Sequence, residues 1–380
     1  MKRIRIFDTT LRDGEQGIGN LMGIDQKQQN LLDIDRLGVD KIELGFPAAS
    51  SEDCRWIQLA STLSLKAKPV LFSRLKVTDV ALTVDLAALF QEVEIELLGV
   101  GSEWHVEKKR QITLSQAYQE LKEAVILAQQ SQKTVSVIFE DATRGSSYYL
   151  KKSVDIALAA GATTIALADT VGFAVPDQIR TLIEELKTHI NDDRITLSIH
   201  CHNDLGLATA NTLAAIQAGV DEIQTTVGGI GERAGNCALE EVVAVLLYKP
   251  EIYDAYVSID TRQIVTACEQ LFARLKKTIS SNKPIVGEHV FATAAGIHQS
   301  GLMKEPRNYE YIEPEQFGRQ REMFFNRLSG KSLLRKLLVG LTEESIDAFY
   351  DFLLQKNKIF SEQEILAYYQ YFYNQPVKEK

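Results

Sequence analysis

Cysteine is scarce in this chain and scattered where it occurs. Cys54, Cys201, Cys237 and Cys268 are the four among 380 residues, with no CxxC pair. That excludes a disulfide-framed secreted scaffold and points to reduced thiols in a cytosolic protein. A basic excess is missing too. Lys and Arg number 42 against 51 Asp and Glu, a net charge of −9, which argues against a nucleic-acid partner because nothing is left over to neutralise phosphates. A local basic pocket for a single phosphate-bearing ligand stays open. Long apolar runs are absent: none approaches the roughly 18 residues a membrane span needs, and mean hydropathy is −0.10. The opening MKRIRIFDTT turns polar too early for a signal peptide. No internal repeat or low-complexity tract occurs. A cytoplasmic globular protein without a membrane partner is the expectation.

What is present is an alternation. Short β-rich runs lie at 3–9, 41–46, 69–72, 93–99, 134–140, 164–169, 196–200 and 222–227. Between them stand helix-length segments at 25–37, 51–63, 114–130, 147–159, 177–189 and 207–218, with apolar residues at three- and four-residue spacing. The third and eighth helices are the least defined. Gly38, Gly161 and Gly219 each follow a helical segment and precede a strand. Eight strands, each followed by a helix, predict an α/β fold, a closed parallel (β/α)8 TIM barrel. An open doubly wound sheet is the alternative, since pattern alone does not show closure. Composition changes after Tyr248: further helix to about Asn282, a loop-rich stretch over Lys283–Gly318, and helix again over Thr342–Gln370. We read 1–275 as the barrel and 276–380 as a C-terminal, mainly helical extension, with Pro376–Lys380 a frayed tail.

Barrels of this kind do their chemistry at the C-terminal ends of the strands, and the polar clusters fall there. The first strand runs into Asp8–Gln16, the fifth ends at Glu140-Asp141, the sixth at Asp169-Thr170, the seventh at His200–Asp204, and the eighth leads into Gly228–Asn236. His200 and His202 are two apart, so on a strand they share one face. Two such imidazoles in a barrel mouth make a metal pair, or else a hydrogen-bonded core pair. With Asp13 they form a set of two histidines and one carboxylate suited to a Lewis-acid ion, and Asn236 offers a further oxygen or a hold on bound water. Arg12, inside a barrel mouth, must be paired or meet an anion. Either a structural ion pair with Glu43 or stabilisation of a developing enolate or carbonyl fits it. The glycine run 228–235 lacks dinucleotide-fold spacing and reads by itself as a tight loop, or as one flexible enough to carry Asn236 to the metal. His105, beyond the fourth strand, reads alone as a surface histidine.

Six stretches together carry a family resemblance: DTTLRDGEQ (8–16), IELGFP (42–47), ADTVGF (168–173), HCHNDLGLA (200–208), GGIGERAGNCALEEV (228–242) and GIHQSG (296–301). In this order, over nearly the whole chain, they resemble the 2-isopropylmalate synthase and homocitrate synthase family, within the metal-dependent barrel superfamily that also holds hydroxymethylglutaryl-CoA lyase. The resemblance implies a Claisen-type condensation of acetyl-CoA with a 2-oxo acid, and a divalent metal ion (Mn, Mg or Zn). It makes Asp13, His200 and His202 the metal ligands, with Asn236 completing or supporting the site. Arg12 matches the arginine that polarises the oxo group, Thr170 the threonine at the 2-oxo acid carboxylate, and Glu140 and His105 pocket residues. His298 and Tyr309 look like a catalytic pair reaching into a partner subunit's barrel, which implies a homodimer with crossed active sites.

The chain departs from the pattern in two places. Ile138 stands where synthases of the family often carry a small polar residue, which favours an apolar substrate tail over a second carboxylate. The leucine-sensing domain of long 2-isopropylmalate synthases is not expected after the helical segment. The GIHQSG and GNCALEEV stretches look closer to the 2-isopropylmalate synthase type, so the first expectation for the substrate is 2-oxoisovalerate, although the short form and the ADTVGF motif are also compatible with homocitrate synthase. Homocitrate synthase on 2-oxoglutarate stays open, with Arg144 or Arg74 as cation for the distal carboxylate. So do citramalate synthase on pyruvate, a lyase running the cleavage direction, and a non-catalytic scaffold.

Overall fold

A computed structural model describes residues 1–373, so the tail at Pro376–Lys380 lies outside the described residues. The chain divides into two compact units, Met1–Thr278 and Ile279–Lys380.

The first unit is a closed barrel of eight parallel strands, paired in chain order with the last returning to the first. They are β1 (Arg5–Asp8), β2 (Lys41–Gly45), β3 (Lys68–Arg74), β4 (Glu94–Val100), β5 (Thr134–Glu140), β6 (Thr164–Asp169), β7 (Thr196–Cys201) and β8 (Glu222–Thr225). Closure is carried by β8 on β1, with Arg5 opposite Glu222 and Asp8 opposite Thr225. This rules out the open sheet. The outer ring is α1 (Ile24–Leu37), α2 (Ser51–Ala60), α3 (Val77–Ala87), α4 (Leu114–Gln129), α5 (Ser147–Ala159), α6 (Pro176–Ile190), α7 (Ala208–Ala218) and α8 (Leu239–Tyr248). The third and eighth helices are thus both formed. At the ends of α1 and α7, Gly38 and Gly219 take φ of 84° and 102°, left-handed values that let the chain turn straight into the next strand.

Three of the even strands, β2, β4 and β8, send charged residues into the barrel, joined by Lys68 from β3. At their N-terminal ends, Lys41 Nζ lies 2.8 Å from Glu94 Oε1 and 3.0 Å from Glu222 Oε2, while Lys68 Nζ lies 3.2 Å from Glu94 Oε2. Two residues along, Glu43, Glu96 and Gln224 form the next layer, all buried. A parallel strand with period-two side chains puts i and i+2 on one interior face.

Beyond α8 the expected further helix is interrupted. Pro250–Tyr253 makes one turn, Asp254 adopts a left-handed φ of 46°, and Ala255–Tyr256 pairs with Lys2–Arg3. Helix resumes as α9 (Ile264–Arg274), capped by a turn in which Asp260 accepts from the Arg262 amide.

The second unit holds α10 (Gly296–Lys304), α11 (Ser332–Leu337), α12 (Glu343–Gln355) and α13 (Glu362–Tyr373). It also has a three-stranded sheet of β9 (Ala292–Thr293), β10 (Glu322–Phe325) and β11 (Phe360–Ser361). Its core gathers Leu302, Phe325, Leu334, Phe349 and Phe360. Three readings of this unit are corrected. The stretch expected as loop contains α10, whose GIHQSGLMK sequence buries only Gln299 and Leu302, so its glycine, serine and histidine leave no apolar period to read. The segment 342–370 is two helices, broken at Asn357, whose φ is 49°. The sheet was not foreseen, since strands of two to four residues carry no readable period. Among the described residues, no helix is long and apolar enough to cross a membrane.

Candidate active site

The loops at the carboxyl ends of the strands assemble the site. After β1 the chain makes a wide helical turn, Thr10–Gly14, that carries Arg12 and Asp13 back over the barrel. Asp8 fixes the turn by accepting from the Thr10 amide and the Thr10 hydroxyl, both at 3.0 Å. Burial pushes its carboxyl up to about 7, against those two hydrogen bonds, which lower it. The Thr10 hydroxyl oxygen in turn accepts from the Val227 amide at 2.9 Å, tying the first loop to the last.

His200 lies at the end of β7 and His202 follows the strand, paired with Asn236 across a single bridge. Each imidazole is anchored through Nδ1: His200 to Gln224 Oε1 at 2.9 Å, and His202 to the Gly235 carbonyl at 3.2 Å. Both partners are acceptors, so both Nδ1 atoms donate and both Nε2 atoms present a lone pair. Those two lone pairs face each other at 3.3 Å, where neither has a proton to share. Asp13 Oδ2 joins them at 3.8 and 4.0 Å. Burial pushes His200 down to about 3 and lowers His202, so both rings stay neutral. Burial alone would raise Asp13; Arg12, the two imidazoles and the Asn236 amide outweigh it and hold the carboxylate ionised. Asn236 Nδ2 donates to Asp13 Oδ1 at 2.8 Å, while its buried Oδ1 has no partner among the described residues. Neutral, convergent nitrogens, a carboxylate and an orphaned amide oxygen fit a divalent cation. One atom from each of Asp13, His200 and His202 that could serve as a metal ligand lies within 4.8 Å of the other two.

Arg12 is nearly buried beside this set. Nη1 donates to Asp13 Oδ2 at 2.8 Å, and Nε lies 2.8 Å from Glu43 Oε2, an ion pair without hydrogen-bond alignment. The guanidinium stacks 4.6 Å from the Phe72 ring centroid. The structural ion pair with Glu43 therefore exists, and the guanidinium still faces the mouth. Burial opposes its charge, and Glu43, Asp13 and Glu96 more than restore it.

Over these groups opens a cavity of about 280 Å³. Its floor is Arg12, Asp13, His200 and His202; one wall is apolar, built from Phe46, Phe72, Leu98, Ile138 and Ala168. Thr170, Glu140, Arg74 and Arg233 stand at its rim. Thr170 Oγ1 accepts from the Asp141 amide at 2.9 Å. His105 and Arg144 lie outside the lining. His105 Nδ1 is 3.3 Å from Glu140 Oε2, and Arg144 Nε donates to Asp141 Oδ1 at 2.6 Å. Arg74 is tied to Asp79 at 2.7 Å. In the second unit, His298 and Tyr309 stack at 4.2 Å between centroids, 26° apart. The Tyr309 ring lies where a Cβ on Gly301 would sit, which accounts for that glycine.

Sequence reasoning missed Gln224, Glu96, Phe46 and Phe72. A signal for the first two existed: polar residues at every second position of strands otherwise apolar, Lys41/Glu43, Glu94/Glu96 and Glu222/Gln224.

A family model described as HMGL-like matches residues 3–271, and one described as homocitrate synthase post-HMGL domain-like matches 285–359. A 2-isopropylmalate synthase of Xanthomonas axonopodis pv. citri is 36% identical over 374 residues, 96% of this chain and 72% of that protein. That of Stenotrophomonas maltophilia is 38% identical over 364 residues, 92% of this chain and 68% of the relative. That of Aquifex aeolicus is 36% identical over 360 residues, 92% and 69%. Among solved structures, the hydroxymethylglutaryl-CoA lyase of Pseudomonas aeruginosa shares the fold with a TM-score of 0.63 at 19% identity, covering 74% of this chain and 96% of its own. The Brucella melitensis lyase does so with 0.62 at 15% identity, covering 73% and 100%. The chain thus belongs to the HMGL-like family, as a relative of the 2-isopropylmalate synthases.

Proposed function

We propose that the protein condenses acetyl-CoA with 2-oxoisovalerate and that water then hydrolyses the resulting CoA thioester, giving 2-isopropylmalate and CoA, as a metal-dependent acyltransferase. The observation that carries this reading is the meeting, in one mouth, of the Asp13–His200–His202 set, the Arg12 cation and an apolar wall sized for a short branched tail. A divalent ion held by Asp13, His200 and His202 supplies Lewis-acid polarisation of a 2-oxo acid carbonyl when bound. Asn236 steadies Asp13 from behind, and Thr170 at the rim suits the substrate carboxylate. Phe46, Phe72 and Ile138 take the isopropyl group and exclude water from it. Arg12, fixed by Asp13 and Glu43, stabilises the oxyanion formed when the acetyl carbon adds to the ketone. A neighbouring cavity of about 560 Å³ shares Arg74, Leu98 and Glu140 and adds Lys76, Lys109, Arg110, Glu120 and Glu123; Lys109 is paired with Glu140 and Arg110 with Glu120, each at 2.6 Å, so a CoA phosphate there would exchange with those carboxylates.

The acetyl methyl must lose a proton, and the stacked His298–Tyr309 pair is our candidate base. We read it as serving the barrel of a second copy, so the enzyme is a homodimer; four cysteines that form no disulfide suit a cytoplasmic location. Mixing the His298→Ala and His200→Ala proteins, each inactive alone, should return about a quarter of wild-type activity after subunit exchange, since half the dimers then hold one intact site. A dead mixture removes the crossed-site reading. The reaction itself is tested by thiol release from acetyl-CoA across 2-oxoisovalerate, 2-oxoglutarate and pyruvate, with and without chelator. We expect the highest kcat/KM on 2-oxoisovalerate and none after chelation. Preference for 2-oxoglutarate or pyruvate would reassign the substrate, and full rates in metal-free buffer would remove the metal.

A further inference from the structure

We propose that Gln224 is a positioning residue: its amide fixes the tautomer of His200, so that the Nε2 lone pair points into the metal set. Gln224 lies directly across the β7–β8 pairing from His200. Its side chain is buried. The two ends of the amide are committed differently. Nε2 donates to Glu96 Oε1 at 3.0 Å, and Oε1 meets His200 Nδ1 at 2.9 Å. With the amide nitrogen held by Glu96, the oxygen is what His200 encounters, and an oxygen accepts only from a protonated Nδ1. The proton on Nδ1 leaves Nε2 bare, facing His202 Nε2 and Asp13 Oδ2. Reversing the amide would put the proton on Nε2, between the two imidazoles, and close the site to a cation. Glu96, on β4, thereby orients a ligand on β7 without touching it.

His202 obtains the same result from a main-chain carbonyl, that of Gly235, which no side-chain substitution removes. Gln224 is therefore the point at which one ligand's orientation is open to mutation. Partners that orient metal-ligating histidines typically contribute about 10–100-fold to metal affinity.

The inference rests on the metal reading above, and the experiment separates the two. Selective ¹⁵N-histidine spectra of the metal-free protein report the His200 tautomer directly, and competition with a chelating dye reports the Kd for Zn²⁺. We expect an Nδ1–H tautomer in the wild type. In Gln224→Met, similar in shape but without the acceptor, we expect a mixed tautomer and a Zn²⁺ Kd about 10–100-fold weaker. The exchanged pair Glu96→Gln with Gln224→Glu keeps one donor toward one acceptor and the same charge; it should restore the Nδ1–H form and an affinity within a few-fold of wild type. An Nε2–H tautomer in the wild type overturns the inference, as does a folded Gln224→Met protein with unchanged affinity. Should Gln224→Met not fold, the wild-type spectrum and the exchanged pair decide. A wild type that binds no divalent ion refutes the metal reading instead, and the tautomer still tests this one.

Discussion

Two layers of polar side chains lie inside the same barrel, two residues apart along β2, β4 and β8. In the lower one, Lys41 sits between Glu94 and Glu222, and Lys68 adds a second cation to Glu94, so every carboxylate has a positive partner within 3.2 Å. The upper layer is built of similar groups and is left incomplete. Glu96 Oε2 and Asn236 Oδ1 have no hydrogen-bond partner among the described residues, and the two imidazoles present lone pairs to each other. A buried charge is therefore no marker of chemistry in this barrel. Glu222 Oε2 of the lower layer also lacks an aligned hydrogen bond, but Lys41 lies 3.0 Å away and offsets its charge; the marker is a cluster in which the lone pairs of two imidazoles face one another beside a carboxylate.

The comparison breaks most visibly if the lower layer is disturbed. Lys41→Met strips the shared cation from two buried carboxylates and should cost about 3–5 kcal/mol of stability. The loss is read from the urea midpoint of the barrel, while kcat at low temperature stays within a few-fold of wild type. A tenfold fall in kcat of the folded protein would mean the layers are not separable.

Arg12→Lys tests the upper layer. Lysine keeps a charge but cannot reach Asp13 and Glu43 with one planar fork. We expect kcat to fall by about 10²-fold, the scale of one lost oxyanion donor, with Tm little changed. A change confined to KM would show that Arg12 binds substrate and transition state alike.

Asp8 sharpens the contrast at smaller cost. Its carboxyl is raised from the ordinary 3.8 to about 7 by burial. The folded state therefore holds a proton that the unfolded state has released, and stability declines as pH rises from about 4 through 7. Between pH 5 and 7 this amounts to about 2 kcal/mol. Asp8→Asn should flatten that part of the urea-midpoint profile relative to wild type. An unchanged slope would mean that Asp8 is ionised in the fold.

Much of this was legible in the sequence because it is local. The barrel strands lie within a residue or two of their expected places, since each is an apolar run bounded by glycine or a polar cluster. The His-x-His spacing and the Arg12-Asp13 pair declared the floor of the site. What stayed hidden depends on closure. Gln224 meets His200, and Thr10 meets Val227, only once β8 has returned to β1. The apolar wall draws Phe46, Phe72, Leu98 and Ile138 from four successive strand ends, each ordinary in its own segment. In the second unit, glycine and histidine masked α10 until the Tyr309 ring against Gly301 explained the composition.

Gly231 bears on how such a site shows up in genetics. It does not adopt a left-handed conformation; it is confined by space, because a Cβ there would collide with Asn236 Nδ2 and press on Asp13 Oδ1. Any other residue pushes the Asn236 amide off the Asp13 carboxylate to which it donates. A screen for inactive alleles will therefore return Gly231 beside Asp13 and His200, although glycine has no side chain with which to bind or react. Gly330, with nothing within 4 Å of its Cβ position and no left-handed φ, has no such reason to appear.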